Sequence, residues 1–229
     1  MKREKIVVAL YGLPGSGKGT QANLVANTFG LVNFDTGKLL ESIWYDPKRQ
    51  KDPVVKREKI LFASGKLNDP SFVLNEVRKK TTVLAKGGHG IVFSGSPRTM
   101  YEAEGLIPSL EKLYGRDRMF FFLLDVDHKD SLARNGKRRL CNECKTPLMA
   151  LYYPSKSPKH CPACAGSLYR RTLDDPKVIP KRLKEYEERT LPIVGYLKKN
   201  RYKVMKLNGR KEPFKIFKEI EKNIEKRLG

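Results

Sequence analysis

Short apolar runs alternate with longer amphipathic stretches along most of the chain. Five runs rich in β-branched and aromatic residues have the length of buried strands: residues 5–11, 32–34, 90–94, 118–126 and 203–207. The stretch 72–85 places Val73, Val77 and Leu84 on one helical face, with charged residues on the other. Strands that alternate with helices predict a parallel sheet with helices on both faces.

The stretch EPFKIFKEIEKNIEKRLG, residues 212–229, predicts a further helix. It has a proline near its first turn, and Phe217, Ile220 and Ile224 recur at helical spacing. Such a narrow apolar stripe is typical of a face that packs on the core. We therefore expect this helix to be structural.

A glycine-rich segment, ALYGLPGSGKGTQ at residues 9–21, follows the first apolar run. Its glycines are Gly12, Gly15, Gly17 and Gly19. Because glycine tolerates conformations that turn successive N–H groups toward one centre, the segment can surround a phosphate chain. A helix expected at about residues 18–27 adds the positive end of its dipole, and Lys18 adds a mobile charge. The usual hydroxyl comes one position late, at Thr20, and we predict a nucleotide-binding loop.

The composition is that of a globular protein. The chain has 229 residues, of which 39% are hydrophobic and 31% charged, and no apolar stretch approaches the length of a membrane span. The start, MKREKIVVALYG, has the basic head and apolar run of a signal peptide, but the run breaks into the glycine-rich loop without a cleavage site. We therefore expect a cytoplasmic protein without a membrane partner.

The formal net charge of +22 raises the question of a nucleic-acid partner. The basic residues run along the whole chain, however, and are denser only toward its end. Nucleotide substrates, which are polyanions themselves, already account for a basic cleft. We therefore predict that nucleic-acid binding is not the main role.

The segment from residue 141 to 171 breaks the pattern of strands and helices. It is rich in Cys, Pro, Tyr and Ser, and it holds all four cysteines of the chain: Cys141, Cys144, Cys161 and Cys164. Two Cys-x-x-Cys pairs at this separation can hold one metal ion, and four thiolates favour a structural zinc. Disulfides or free thiols are the alternatives, and the expected compartment disfavours disulfides. His160 is a further candidate ligand, although four cysteines already fill a tetrahedral site.

An ordered series of motifs resembles the adenylate kinase family in its long form, which carries a zinc-binding lid. The motifs are GLPGSGKGT (12–20), DTGKLL (35–40), SGKL (64–67), GSPRT (95–99), RNGKRRLC (134–141), the two cysteine pairs, RRTLDD (170–175), PKRL (180–183) and LNG (207–209). The resemblance implies an α/β P-loop nucleoside monophosphate kinase fold with a central five-stranded parallel sheet. It also implies a core (1–34, 69–138 and 175–229), a monophosphate-binding insertion (35–68) and a zinc lid (139–174).

The resemblance further implies the reaction ATP + AMP = 2 ADP, with magnesium bound by the nucleotide, in a monomer. The implied ATP-binding residues are Gly15, Ser16, Gly17, Lys18, Gly19, Thr20, Arg134 and Arg138. The implied AMP-binding residues are Thr36, Lys66, Leu67, Asn68, Gly95, Arg98, Glu102, Arg171 and Arg182. The implied catalytic residues are Lys18, Arg98, Arg138, Arg171 and Arg182. Physical reasoning agrees with the arginines, because phosphoryl transfer depends on positioning and charge, and a guanidinium grips two phosphate oxygens at once.

Several positions depart from the family pattern. Lys38 and Ser94 stand where the family has aspartates that help to hold hydrated magnesium, and Glu41 stands where an arginine grips the AMP phosphate. Glu102 replaces a glutamine that reads adenine and, when ionised, cannot donate a hydrogen bond. Leu173 replaces one of two lid aspartates. Two interpretations stay open: family drift with compensation, in which Asp35 orders metal waters and Lys38 neutralises phosphate, or a changed acceptor or weak kinase.

Three functions therefore remain in consideration. The first is an adenylate kinase, and the second is a kinase for another nucleoside monophosphate. The third is a weakly active or non-catalytic zinc protein that binds nucleotides or nucleic acid, for which Tyr152, Tyr153 and Tyr169 are weak stacking candidates. We expect the first.

Overall fold

The computed structural model describes residues 4–64, 66–149 and 158–229. The strands of this part of the chain are β1 (Val7–Tyr11), β2 (Val32–Phe34), β3 (Ile91–Phe93), β4 (Met119–Asp125), β5 (Arg138–Cys141), β6 (Pro147–Met149), β7 (Leu168–Tyr169) and β8 (Val204–Asn208). The α-helices are α1 (Lys18–Phe29), α2 (Thr36–Trp44), α3 (Pro53–Ala63), α4 (Pro70–Lys86), α5 (Met100–Tyr114), α6 (His128–Lys137), α7 (Ile179–Glu185), α8 (Pro192–Lys199) and α9 (Pro213–Leu228).

The central sheet has five strands in the order β2-β3-β1-β4-β8. All of its pairings are parallel, with Val7 of β1 opposite Ile91 of β3 and Met119 of β4. The expected parallel sheet is thus confirmed, and each predicted strand lies within two residues of its observed bounds. Because the strands are parallel, their carboxyl ends meet at one edge, where the loop after β1 leads into α1.

Helices cover both faces of the sheet. Along β1, alternate residues belong to different core clusters, as the period of two in a strand requires. Val7 and Ala9 pack in the cluster that includes α4, α5 and α8, whereas Val8 packs in the cluster that includes α1 and α9. The apolar stripe of α9 is buried in the second cluster, so its structural role is confirmed.

Two smaller units extend from this core. Helices α2 and α3 pack on each other between β2 and α4, within the predicted insertion 35–68. Strands β5, β6 and β7 form an antiparallel sheet in the order β6-β5-β7. The sequence did not predict this sheet, because strands of two to four residues leave no periodic signal. The domain boundaries stay a prediction, and Tyr152 and Tyr153 lie outside the described residues.

No helix in the described ranges is long and apolar enough to cross a bilayer.

Candidate active site

The loop between β1 and α1 has the backbone that its glycines predicted. Gly12, Gly15 and Gly17 have φ angles of +143°, +81° and +100°, which side chains rarely tolerate. A Cβ on Gly12 would lie 2.5 Å from the carbonyl oxygen of Leu124. Gly19 differs from the expectation, since it lies within the first turn of α1 and a Cβ there would meet nothing within 4 Å. Three glycines rather than four therefore shape the loop.

Lys18 is the first residue of α1 and folds back over the loop. Its Nζ donates to the carbonyl oxygens of Gly12 at 2.6 Å and Leu13 at 2.9 Å. No side chain caps the helix at Gly17, so the N–H groups of the first turn remain available to an anion. Burial lowers the pKa of Lys18 well below its usual value, and the nearby cations Arg98 and Arg182 lower it further. The loop is thus an anion site with a strong excess of positive charge.

A large cavity lies over this loop and gathers most of the predicted site residues. Those that line it are Gly15, Gly17, Lys18, Gly19, Thr20, Lys66, Leu67, Gly95, Arg98, Arg138, Arg171 and Arg182. The cavity therefore joins the phosphate loop, the segment after α3, the segment after β3 and the two arginine-rich segments that flank the small sheet. These segments are far apart in sequence, and the parallel sheet brings their ends to one edge.

Two of the cavity arginines are held by one buried carboxylate. Asp174 is completely buried, accepts a hydrogen bond from Arg138 Nε at 2.9 Å, and forms an ion pair with the same guanidinium. Arg182 lies 3.5 Å from the same carboxylate. Burial and repulsion from the other arginines lower the pKa of Arg182 to about 9, against the opposing effect of Asp174. Asp174 therefore fixes the position of two cations that repel each other.

A second, smaller cavity adjoins the first, because Gly37, Phe62, Leu67, Ser96 and Arg98 line both. It contains the remaining predicted acceptor residues Thr36, Asn68 and Glu102. Its apolar lining is formed by Leu40 of α2, Phe62 of α3, Val73 of α4 and Leu67. Apolar walls combined with a few polar groups are typical of a site for a small molecule.

The predicted polar residues of the second cavity already have protein partners. Thr36 shares a hydrogen bond of 2.6 Å with Ser96. The Asn68 amide donates to Glu58, whose side chain is completely buried at the end of the insertion. The sequence analysis did not predict a role for Glu58, because a single glutamate in a charged helix gives no indication that it is buried. These contacts fix the shape of the cavity before any ligand enters.

Glu102 is 3% exposed, and both of its carboxylate oxygens accept hydrogen bonds. The backbone N–H of Arg98 donates to one oxygen at 2.9 Å, and the Thr99 hydroxyl donates to the other at 3.1 Å. Burial raises the pKa of Glu102, whereas these two donors and the charge of Arg98 oppose the shift. Both oxygens of Glu102 are therefore already engaged by neighbouring protein groups, and burial shifts this carboxyl toward its neutral form.

Four residues that the sequence analysis named as binding residues or as departures from the family pattern do not line either cavity. Arg134 is buried and donates to the carbonyl oxygen of Gly209 at 2.7 Å, and Ser16 is buried inside the loop. Lys38 and Glu41 are exposed on α2. Glu41 lies one helical turn after Gly37, which does line the main cavity, so it is near the mouth rather than inside.

The structure also adds residues that the sequence did not indicate. Tyr11, Glu185, Tyr186 and Thr190 line the main cavity. Tyr11 is the last residue of β1, and its position directly before the phosphate loop could have predicted from the sequence that it lines the site. Tyr186 and Thr190 belong to a single π-helical turn, Tyr186–Thr190, which no sequence pattern marks. The Thr190 hydroxyl donates to the Arg98 carbonyl at 2.7 Å and so joins this turn to the segment after β3.

The four cysteines converge as their spacing predicted. Their sulfur atoms all lie within 4.8 Å of one another, with Cys141–Cys164 at 3.4 Å and Cys144–Cys161 at 3.6 Å. Four sulfurs placed about 2.3 Å from one tetrahedral ion would be about 3.8 Å apart. His160 is exposed and is not part of this cluster. The donor set and its dimensions therefore fit one metal ion.

The backbone around the two cysteine pairs repeats. The residue after each second cysteine, Lys145 and Ala165, has the same left-handed φ of +57°. The N–H of Glu143 donates to the Cys141 sulfur at 3.3 Å. A Cβ on Gly166 would lie 2.9 Å from that sulfur, so only glycine allows the close approach. Two matched turns that face one centre are the geometry of a closed metal site.

A five-stranded parallel sheet, a phosphate-binding loop that opens α1 and a facing cluster of arginines define a P-loop phosphotransferase. The chain belongs to the adenylate kinase family, since the family model "Adenylate kinase" matches residues 10–202. The reaction of this family is the reversible transfer of a phosphoryl group from ATP to AMP, which gives two ADP.

Curated relatives agree over most of the chain. An adenylate kinase from Methanothrix thermoacetophila is 31% identical over 220 residues, which covers 96% of this chain and 98% of the relative. One from Magnetococcus marinus is 32% identical and covers 82% of this chain and 86% of the relative. An adenylate kinase from Bacillus velezensis is 27% identical, and the match covers 93% of this chain and 95% of the relative.

Adenylate kinases use magnesium together with ATP, and a protein site for this ion would need carboxylates in the cavity. Its described lining includes two carboxylates, Asp35 and Glu185. Asp35 caps α2 by accepting from the N–H groups of Gly37 and Lys38, and Glu185 forms an ion pair of 3.3 Å with Arg189. Magnesium is usually bound through one or two carboxylates in addition to phosphates and water. Because a protein group already engages one oxygen of each, these two carboxylates are a poor fit for an ion held by the protein.

Proposed function

We propose that the family reaction takes place in the main cavity, with the ATP phosphates at the loop of Gly15, Ser16, Gly17, Lys18, Gly19 and Thr20. The observation that carries this proposal is the uncapped start of α1, with Lys18 folded over the loop and four arginines facing it. The N–H groups would hold the ground-state phosphates, and Lys18 would follow the charge of the transferred group. Arg134, which holds the loop after β8 through Gly209, would support the ATP side indirectly.

The transfer itself would rest on the arginines. Arg98, Arg138, Arg171 and Arg182 line one cavity with Lys18, so they can neutralise charge on the attacking, transferred and leaving oxygens. A phosphate acceptor is already ionised near neutral pH, and no general base is needed. Arg171 follows β7 of the small sheet and Arg182 lies in α7, and both would also contact the acceptor phosphate when the site closes over it.

The second cavity would hold the acceptor nucleotide. Lys66 and Gly95 line the main cavity beside the second cavity, and Leu67 and Arg98 line both cavities. A phosphate bound at Arg98 would therefore place the base of the nucleotide between the apolar walls of the second cavity. Thr36, Asn68 and Glu102 would border the base. AMP is the acceptor that the family implies.

A kinase for another nucleoside monophosphate is the second candidate, and Glu102 is the observation that favours it. Glu102 has no amide donor, and both of its oxygens already accept from Arg98 and Thr99, whereas adenine presents an acceptor nitrogen beside its amino group. A coupled assay of kcat/KM with AMP, CMP, UMP and GMP separates the two functions. Highest kcat/KM with AMP supports adenylate kinase, and highest kcat/KM with another monophosphate overturns it.

Reversing the charge of Glu41 tests the mouth of the acceptor site. We expect Glu41→Arg to lower the KM for AMP by about tenfold, because a charge-assisted contact to phosphate contributes about 1.5–3 kcal/mol. The KM for ATP should change much less. Glu41→Gln is the matched control and should have a smaller effect, because it removes repulsion without adding a cation. An unchanged KM for AMP in Glu41→Arg would show that position 41 stays outside the site.

We propose further that the metal of the cysteine cluster is zinc and that it holds the lid together. Four thiolates favour zinc, and the closed set leaves no position for chemistry. The small sheet has little core of its own, so a metal would let it move as one body over the phosphates and exclude water.

Elemental analysis tests this site directly. We expect one zinc per chain in protein purified without chelator, and its loss in Cys161→Ser together with lower thermal stability of the lid. His160→Ala is the matched control, because its exposed side chain neighbours Cys161 without joining the cluster, and it should keep the zinc. Wild-type protein without zinc would contradict the proposal.

The remaining expectations stay predictions. A monomer in the cytoplasm without a nucleic-acid partner is what the sequence indicates. Of the aromatic residues considered for RNA stacking, Tyr169 is half-buried in β7 with Lys145 Nζ 5.8 Å from its ring centre, so it is a poor platform for a base. Titration with single-stranded RNA at physiological salt checks for a nucleic-acid partner, and a sedimentation experiment checks whether the protein is a monomer.

A further inference from the structure

The charge of the main cavity is strongly unbalanced. Its described lining includes six cations and two carboxylates. The cations are Lys18, Lys66, Arg98, Arg138, Arg171 and Arg182. Burial lowers the pKa values of Lys18 and Arg182, and repulsion from neighbouring arginines lowers them further. A site of this kind gains most from the ligand that brings the most negative charge.

Each of these two carboxylates has one oxygen engaged by a protein group. One Asp35 oxygen is committed to two N–H groups at the start of α2, where it fixes the helix. Glu185 is neutralised by Arg189 one turn later. Asp174 is buried with Arg138 and Arg182 and does not line the cavity. The carboxylates near the site therefore organise protein groups.

Ser94 lies at the position where a carboxylate would be best placed to attract a hydrated cation and to offset the positive charge of the main cavity. It follows β3 directly and lines the main cavity. Because Phe93 lies opposite Ala9 of β1, Ser94 leaves the sheet beside the end of β1, from which the phosphate loop begins. A hydroxyl there is neutral, so it neither attracts a hydrated cation strongly nor offsets the surrounding positive charge.

We propose that this chain neutralises the phosphates of ATP with its own side-chain cations and holds no magnesium through protein carboxylates, so that metal-free ATP binds at least as tightly as magnesium-bound ATP. The inference rests on the proposed ATP site. Metal-free ATP carries roughly four negative charges near neutral pH, and magnesium cancels about two of them. The two carboxylates in the described lining are each engaged through one oxygen by protein groups, and position 94 carries none, so the metal reduces attraction to the cations and gains little protein contact in return.

Calorimetric titration of the whole protein with ATP tests this, once with a chelator and once with excess Mg²⁺ at equal ionic strength. We expect the Kd of metal-free ATP to be equal to that of the magnesium complex or lower. Magnesium-bound ATP that binds about tenfold more tightly would overturn the inference while leaving the ATP site in place. Failure to bind ATP in either condition would instead contradict the proposed function.

Ser94→Asp adds the missing carboxylate, with Ser94→Asn as the matched control of similar size without charge. We expect Ser94→Asp to raise the Kd of metal-free ATP by about tenfold and to leave the Kd with Mg²⁺ within about threefold of wild type. Ser94→Asn should shift both values by the same factor. An unchanged ratio of the two Kd values in folded Ser94→Asp would refute the role of position 94. If that variant does not fold, the wild-type titration alone decides.

Discussion

Replacement of Lys18 with alanine is expected to lower kcat by about 10²–10³ and to raise the Kd for ATP by less than about tenfold. The N–H groups of the loop and of the first turn of α1 remain in the variant, and under the proposed function they would hold the phosphates in the ground state. Within the described residues, Lys18 Nζ donates to two carbonyl oxygens of the loop and forms no ion pair, so it can move with the transferred phosphoryl group. Its contribution therefore grows in the transition state.

Single-turnover kinetics and calorimetry separate these two effects. Lys66→Ala is the control, because it removes one charge from the same cavity outside the phosphate loop. We expect that variant to change the KM for the acceptor more than kcat. Normal turnover in Lys18→Ala would remove the assignment of the loop as the phosphate site.

The parts of this site that are contiguous in sequence could be predicted, and the reason is local geometry. The φ angles of Gly12, Gly15 and Gly17 and the start of α1 follow from a single run of residues. The two cysteine turns follow from the fixed spacing of each Cys-x-x-Cys pair, and both turns have the same left-handed φ, at Lys145 and at Ala165. In both cases the chemistry requires particular residue types within a few positions.

The rest depends on tertiary contacts that no local pattern encodes. Burial of Glu58 and its link to Asn68 arise only when α3 meets the start of α4. The turn Tyr186–Thr190 becomes part of the site through one hydrogen bond to the Arg98 carbonyl. The orientation of Glu41 toward solvent likewise depends on how α2 packs, which the sequence leaves undetermined.

Asp174→Asn is expected to lower the free energy of unfolding by about 3–5 kcal/mol, the usual cost of removing one partner from a buried ion pair. The side chain of Asp174 is 1% exposed, and those of Arg138 and Arg182 are 17% and 20% exposed. An amide at this position cannot neutralise two guanidinium groups that already lie among other cations. Asp175→Asn is the control, because Asp175 is exposed and only caps the N–H of Lys177, so its loss should cost about 1 kcal/mol or less.

Ligand binding distinguishes this electrostatic role from simple loss of packing. Phosphates that enter the cavity meet Arg138 and Arg182 directly, so they can replace the negative charge that Asp174 supplied. Saturating ATP should therefore raise the Tm of Asp174→Asn by more than it raises the Tm of wild type or Asp175→Asn. An equal shift in all three proteins, or a stability of Asp174→Asn equal to that of the control, would mean that the two arginines keep their positions without this carboxylate.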